Sequence, residues 1–333
     1  MKKLFEKITE ELEKQRDLVL VTLIETDGST PRKTGAQMLC GESGRIFGTI
    51  GGGWLEGISI EIAQNVLTKK QSLVQNFVLD DKNLEKMGMI CGGKVTALFQ
   101  YISGTDTSAN RWGFFLNALK LAEENKGGWL VQSLSGGRPS LLDEKGNLIC
   151  GARTNEKIPE KPICFRNDDT FWQPIPVQAR AVIFGGGHIA AALVPLLETI
   201  DFQCWVFDDR PHFVTEKRFP TAEKLIYGDY TKIADYLTMT TDDYAVIMTN
   251  GHSHDLEIQD QVLRGSFAYI GVVGSARKTA AVNAALRERG IPEEKIAQVH
   301  TPIGTAIKAV TPEEIAVSIA GELILTRALR RGK

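Results

Sequence analysis

Residues Gly185, Gly186, Gly187, His188, Ile189 and Ala190 spell G-x-G-x-x-A, the spacing with which a strand-to-helix turn holds a phosphate. The first glycine permits the tight turn, Gly187 lets backbone approach a phosphate, and the small Ala190 lets the helix pack closely on a sheet. The helix then faces the ligand with free amides and a partial positive charge. Asp208 and Asp209 follow at about the distance where such folds set a carboxylate against a ribose hydroxyl. Arg210 beside them leaves the dinucleotide preference open, and a degenerate fold whose glycines serve only packing stands as the alternative.

Further along, Gly274, Ser275 and Lys278 precede a helix and read either as an anion site or as ordinary capping. The run Asn250-Gly251-His252-Ser253-His254-Asp255 is expected as a loop, whose histidines and aspartate either ligate a metal or make structural hydrogen bonds. Near the N-terminus, Thr26 to Gly35 is a turn-rich loop with the paired cations Arg32 and Lys33. The run Gly48-Thr49-Ile50-Gly51-Gly52-Gly53 then leads into a helix with Glu56 in its first turn.

These groups need elements to position them. Met1 to Asp17 reads as an amphipathic helix on Leu4, Phe5, Ile8 and Leu12. Leu18 to Glu25 reads as a strand buried on both faces, and Ala36 to Cys40 as a short strand. A helix from Trp54 to about Lys69 shows Leu55, Ile58, Ile62 and Val66 on one face. Another is expected around Arg111 to Asn125, with strands at Trp129 to Gln132 and Leu148 to Cys150. Thr154 to Pro176, rich in Pro and charge, reads as the linker between domains at 1–160 and 177–333. Beyond it, strands at Ala179 to Phe184, Gln203 to Phe207, Tyr244 to Thr249 and Ala268 to Val273 alternate with helices. The expected class is α/β, with a C-terminal Rossmann-like parallel sheet domain and an N-terminal α/β domain.

A chain of 333 residues exceeds what one core usually organises. With 43% hydrophobic and 24% charged residues and a net charge of −2, it reads as a packed protein whose partners are small ligands or proteins, not nucleic acid or membrane. Its five cysteines, Cys40, Cys91, Cys150, Cys164 and Cys204, form no CxxC pair. No signal peptide or bilayer-spanning run is present, so a reducing, cytoplasmic location is expected.

Taken in order, the motifs resemble the xanthine dehydrogenase accessory factor family, XdhC/CoxI. The resemblance rests on Gly28-Ser29-Thr30-Pro31-Arg32, Gly48 to Gly53 with Glu56, and Cys91-Gly92-Gly93. In the second half it rests on the Gly185 fingerprint, Asp208 to Pro211, Gly271 to Lys278, Pro302-Ile303-Gly304 and Thr311 to Ala316. Ala276, where many relatives have an arginine, and Trp54, in place of a smaller residue, depart from the pattern.

The resemblance implies a homodimeric carrier that receives molybdenum cofactor, protects it while its sulfido ligand is installed, and delivers it to a xanthine dehydrogenase-type molybdoenzyme. A cysteine desulfurase is a further implied partner. In that role glycine turns at Gly51, Gly52 and Gly53 with Arg32 or Lys33 would hold the molybdopterin phosphate. Cys91 is the candidate thiolate for the metal or its sulfur, with a buried core cysteine as the other reading. Two further possibilities stand: an NAD(P)-dependent oxidoreductase with His188 or His252 near the hydride site, and a scaffold that binds the enzyme without holding cofactor.

Overall fold

The computed structural model describes residues 1–79, 93–105, 112–154, 156–250 and 252–330. The chain divides into two compact units, Met1–Val177 and Gln178–Lys333.

The first unit opens with α1 (Lys2–Glu13) and β1 (Leu18–Gly28), then β2 (Gln37–Gly41), β3 (Gly44–Gly48), α2 (Gly53–Lys69), β4 (Leu73–Leu79) and β5 (Gly93–Ile102). The five strands form an antiparallel sheet in the order β3-β2-β1-β5-β4. Residues of β1 alternate between two cores. Val19, Val21 and Leu23 pack with Leu55, Ala63 and Val66 of α2, whereas Leu18 and Leu20 pack with Leu4, Phe5 and Ile8 of α1. Both faces are covered, which is why the strand reads as a continuous apolar run although its neighbours are antiparallel. The helix α2 is turned slightly from its expected orientation: Ser59 and Ala63 are buried with Leu55, Val66 and Leu67, while Ile58 and Ile62 are half-buried. Small side chains let the helix axis approach the sheet, an advantage that a hydrophobicity count does not register.

α3 (Trp112–Glu123) follows, with β6 (Gly128–Ser133), β7 (Ser140–Asp143), β8 (Leu148–Gly151), β9 (Phe165–Arg166) and β10 (Thr170–Ile175). These strands form a second antiparallel sheet, β8-β7-β6-β10-β9. The expected linker, Thr154 to Pro176, thus supplies the last two strands of this sheet, β9 and β10, with Phe171 and Trp172 wholly buried. Pro174 hid β10 from sequence reading. It is tolerated because β9 pairs only with Phe171 and Trp172, leaving the far side of β10 without a strand neighbour at Pro174 among the described residues.

The second unit runs β11 (Ala179–Phe184), α4 (His188–Thr199), β12 (Phe202–Asp208), β13 (Lys224–Tyr227), β14 (Tyr244–Ile247), α5 (His252–Arg264), β15 (Tyr269–Val272), α6 (Ala276–Glu288), α7 (Glu293–Ile296), β16 (Val299–His300) and α8 (Pro312–Arg330). All pairings are parallel, in the order β13-β12-β11-β14-β15-β16. Ala181, Ile183, Val206 and Val246 point to a core under α4 and α8; Val182, Phe184, Phe207 and Ile247 point to one on the opposite face. This is the doubly wound α/β architecture, and its strand order reverses between β11 and β14, where ligands of such sheets bind. The run Asn250 to Asp255, expected as a loop, instead enters α5 at His252, so His254 and Asp255 lie in the first helical turn.

Candidate functional site

In the first unit the glycine motifs gather at one end of the first sheet. Gly28, the last residue of β1, pairs with Gly93, the first of β5. A Cβ on Gly93 would meet backbone oxygens of Asp27 and Ser29, so this crossing admits only glycine. A Cβ on Gly51 would lie 2.9 Å from Pro31 Cβ and 3.9 Å from Arg32 Cγ. The loop at Gly28 to Arg32 and the turn at Gly48 to Gly53 are therefore in contact. Gly51, Gly52 and Gly53 all have positive φ, 142°, 80° and 57°, which turns successive amides in a way ordinary residues resist.

Side chains brace this turn. Thr49 Oγ1 donates to Glu56 Oε2 at 2.6 Å and accepts from the Gly51 N–H at 3.2 Å. Arg45 pairs with Glu56 Oε1 at 2.9 Å. Glu56 thus holds the turn as well as favouring the helix start; Thr49 and Arg45 were not singled out by sequence reading, since neither residue type marks a site. At the tip, Gly52 caps α2 without any side-chain bond, and a Cβ there would meet nothing within 4 Å. Arg32 and Lys33 are exposed, with no ion-pair partner among the described residues. An uncapped helix N-terminus beside exposed cations is chemically suited to an anionic group such as a phosphate. Cys91 and Gly92 lie outside the described residues. Of the other thiols, Cys40 is pushed up to about 12 by burial, and burial also raises Cys204; both are inert core residues at neutral pH.

In the second unit the three fingerprint glycines serve different ends. Gly185 has φ of 111°, and a Cβ there would strike the Met248 carbonyl at the end of β14. A Cβ on Gly186 would strike the carbonyl of Phe213. Only Gly187 faces open space, and it begins α4 with no side-chain cap. His188 next to it is exposed, and Ala190 is fully buried against the sheet.

Asp208 is fully buried and wholly engaged within the chain. It accepts the Gly186 N–H at 2.7 Å, the Arg210 N–H at 3.0 Å and both Nε and Nη2 of Arg210 at 2.8 Å. Burial raises its carboxyl, but the Arg210 guanidinium and the two backbone donors outweigh it, leaving the group below the ordinary carboxylate range. The guanidinium also lies 3.7 Å from the Phe213 ring centroid, and Arg218 Nε donates to the Gly186 carbonyl at 2.8 Å. Asp208 therefore ties the fingerprint turn to the segment after β12. Asp209 is the more accessible carboxylate, one-third exposed, with His254 Nδ1 3.7 Å away.

Across the reversal point, Asp255 is fully buried, accepts from Thr249 Oγ1 and pairs with Lys278 Nζ. Ser275 caps α6 by accepting the Lys278 N–H at 3.4 Å. A pocket there is lined by Lys278, Thr279, Thr301 and the space left by Gly274, with the two threonine hydroxyls 2.9 Å apart. Lys278 is thus spent largely on Asp255, and Asp255 acts as a structural hydrogen-bond centre. No cluster of three or more metal-capable side chains occurs among the described residues.

Two family models match the chain: one described as the XdhC Rossmann domain over residues 181–323, the other as the XdhC and CoxI family over residues 11–77. Arg32 and Gly51 to Gly53 fall in the second span, the fingerprint and Lys278 in the first, and Cys91 in neither. The chain is 26% identical over 328 residues to a protein of Bacillus subtilis (strain 168) described as a probable xanthine dehydrogenase subunit, covering 95% of both proteins. It is 24% identical over 306 residues to the uncharacterized protein YqeB of Escherichia coli (strain K12), spanning 92% of this chain and 42% of that one. A solved structure from Bacillus halodurans, described as a xanthine dehydrogenase, superposes with a TM-score of 0.82 at 25% identity, covering 98% of this chain and 96% of the other.

Proposed function

This chain belongs to the XdhC/CoxI family, and from that premise we propose that it is a cytoplasmic accessory protein of a xanthine dehydrogenase-type molybdoenzyme, binding molybdenum cofactor and assisting its sulfuration and insertion. The observation that carries the reading is the meeting of the Gly28–Arg32 loop with the Gly51–Gly53 turn at an uncapped helix start. Arg32 and the amides of Gly51 to Gly53 would hold the phosphate of the molybdopterin, Arg32 by charge and the amides by hydrogen bonds. When bound, the cofactor supplies a soft metal centre, for which the Cys91 thiolate is the proposed protein donor. The chain itself orients and shields its cargo.

The oxidoreductase alternative draws less support. Its ribose-reading carboxylate would be Asp208, which is buried and engaged with Arg210 and Gly186, leaving Asp209 as the accessible acid.

Anaerobic purification from a cofactor-producing host tests the proposal through molybdenum content and the fluorescence of oxidised pterin. Near-stoichiometric amounts of both are expected. Arg32→Ala should lower retention about tenfold, the loss of one charge-assisted contact, and Cys91→Ala should lower molybdenum retention with circular dichroism unchanged. Wild-type protein free of molybdenum and pterin but holding NAD(P) would overturn the reading in favour of the oxidoreductase.

A further inference from the structure

Asp208 fastens two loops side by side. Its carboxylate accepts the Gly186 N–H from the turn after β11, and the backbone and guanidinium N–H groups of Arg210 from the turn after β12. The next residue of the first turn, Gly187, starts α4 with no side-chain cap, and a Cβ there would meet nothing within 4 Å. In the second turn Asp209 stands one-third exposed, with only long contacts, 3.7 Å to Arg210 Nε and 3.7 Å to His254 Nδ1.

His254 comes from a third element. Helix α5 follows β14, on the other side of the point where the strand order reverses, and its first turn carries the imidazole to Asp209. The ring packs against that of Tyr230, with centroids 5.1 Å apart. Its Nδ1 is shielded from solvent and has no hydrogen-bond partner among the described residues. A shielded polar atom without a partner costs free energy. The 3.7 Å gap to Asp209 Oδ2 is too long for a hydrogen bond, yet short enough for one oxygen to bond both groups. A carboxylate only accepts, and Nδ1 in its N–H tautomer only donates, so the group that satisfies both is a hydroxyl.

Cations at this end of the sheet are already engaged. Arg210 gives Nε and Nη2 to Asp208 and lies over the Phe213 ring. Arg218 donates to the Gly186 carbonyl, and Lys278 pairs with Asp255. A phosphate on a ribose 2′ oxygen would therefore meet the Asp209 carboxylate, where a site built for it would offer a free guanidinium.

We propose that the second unit binds a nucleoside diphosphate with an unphosphorylated ribose, the 2′-hydroxyl bridging Asp209 Oδ2 and His254 Nδ1 and a phosphate lying on the amides of the α4 start beside Gly187. Asp208, which the fingerprint spacing also offers as the ribose ligand, is a positioning residue that holds Gly187 and Asp209 in place. Occupancy of this crevice requires no hydride transfer and is independent of cofactor binding by the first unit, which molybdenum and pterin content of the same samples reads separately.

Isothermal titration calorimetry of the full-length chain with ADP, GDP and CDP should show stoichiometric binding of at least one of them. Its 2′-deoxy counterpart should bind about tenfold more weakly, the loss of one charge-assisted hydrogen bond. NADPH should likewise bind about tenfold more weakly than NADH, or worse, through repulsion by Asp209. Asp209→Ala and His254→Ala should each lower affinity for the ribonucleotide about tenfold and leave the deoxynucleotide unchanged, a difference that a loss of packing does not produce. Gly187→Val, which fills space open in the free chain, should abolish binding of every nucleotide with circular dichroism unchanged. NADH binding more tightly than the diphosphates would assign the site to nicotinamide dinucleotides, and the reverse order to another nucleotide. No binding of any of them, equal affinity for ribose and deoxyribose forms, or NADPH held as tightly as NADH would overturn the proposal, leaving water as the group between Asp209 and His254.

Discussion

Burial decides what Asp208 can do. A carboxylate with no solvent contact must find its partners inside the protein, and Asp208 finds them in Arg210 and in the amide of Gly186. Its position after β12 was legible from the fingerprint spacing; its internal engagement was not, because Arg210 and Gly186 approach it only when the turn after β11 and the turn after β12 are folded side by side. Arg210→Ala should cost roughly 2–3 kcal/mol in urea unfolding, since it leaves a buried charge with only backbone donors; a change below about 1 kcal/mol would show that the pair contributes little. Because the folded-state pKa of Asp208 lies below its unfolded value of about 3.9, the stabilisation is complete above that pH and is lost as pH falls through the folded value. In Arg210→Ala burial is opposed by fewer donors, so the folded-state pKa of Asp208 moves up towards the unfolded value and its share of the acid destabilisation should be smaller than in the wild type. Urea midpoints across an acid titration read both effects. Single residue types also misled: Lys278 had the look of an anion ligand, and it was Asp255, buried one helix away in space, that drew its charge.

Local grammar placed most of the elements, and where it failed the cause was a contact distant in sequence. The strand β11 matches its expected span from Ala179 to Phe184 residue for residue, as a run of apolar residues ending in glycines should. The strand β10 was missed because proline reads as a breaker until one sees that β9 stops short of it. The motif Thr311-Pro312-Glu313-Glu314, noted for family resemblance, is physically a capping box: Glu314 accepts the Thr311 N–H at 3.1 Å, and Thr311 Oγ1 accepts the Glu314 N–H at 3.2 Å. The turn before α2 depends on comparable bonds from Thr49. Thr49→Ala removes a donor to Glu56 and an acceptor from Gly51, and should lower stability by about 1–2 kcal/mol. If that turn also serves the cofactor, the same variant loses pterin fluorescence in proportion more than it loses melting temperature; equal retention at equal stability would separate the turn from binding.

At the scale of the molecule, each unit has cores of its own: Met1–Val177 closes around the two antiparallel sheets, and Gln178–Lys333 around the two faces of the parallel one. Scanning calorimetry should therefore resolve two transitions, with Arg210→Ala lowering one and Thr49→Ala the other; a single transition shifted by both would show that the units unfold together. The sequence by itself determined the α/β class, the fingerprint turn and its helix, the doubly covered β1 and the family, because these rest on periodicity and on motifs whose parts are close along the chain. Only the tertiary structure decided that the Gly28–Arg32 loop meets the Gly51–Gly53 turn, that Thr154 to Pro176 supplies two strands of a sheet, that Asp208 and Lys278 are already partnered, and that His254 stands beside Asp209. Each of these is set by which distant segments become neighbours, and hydrogen-bond partners and burial exist only once they have.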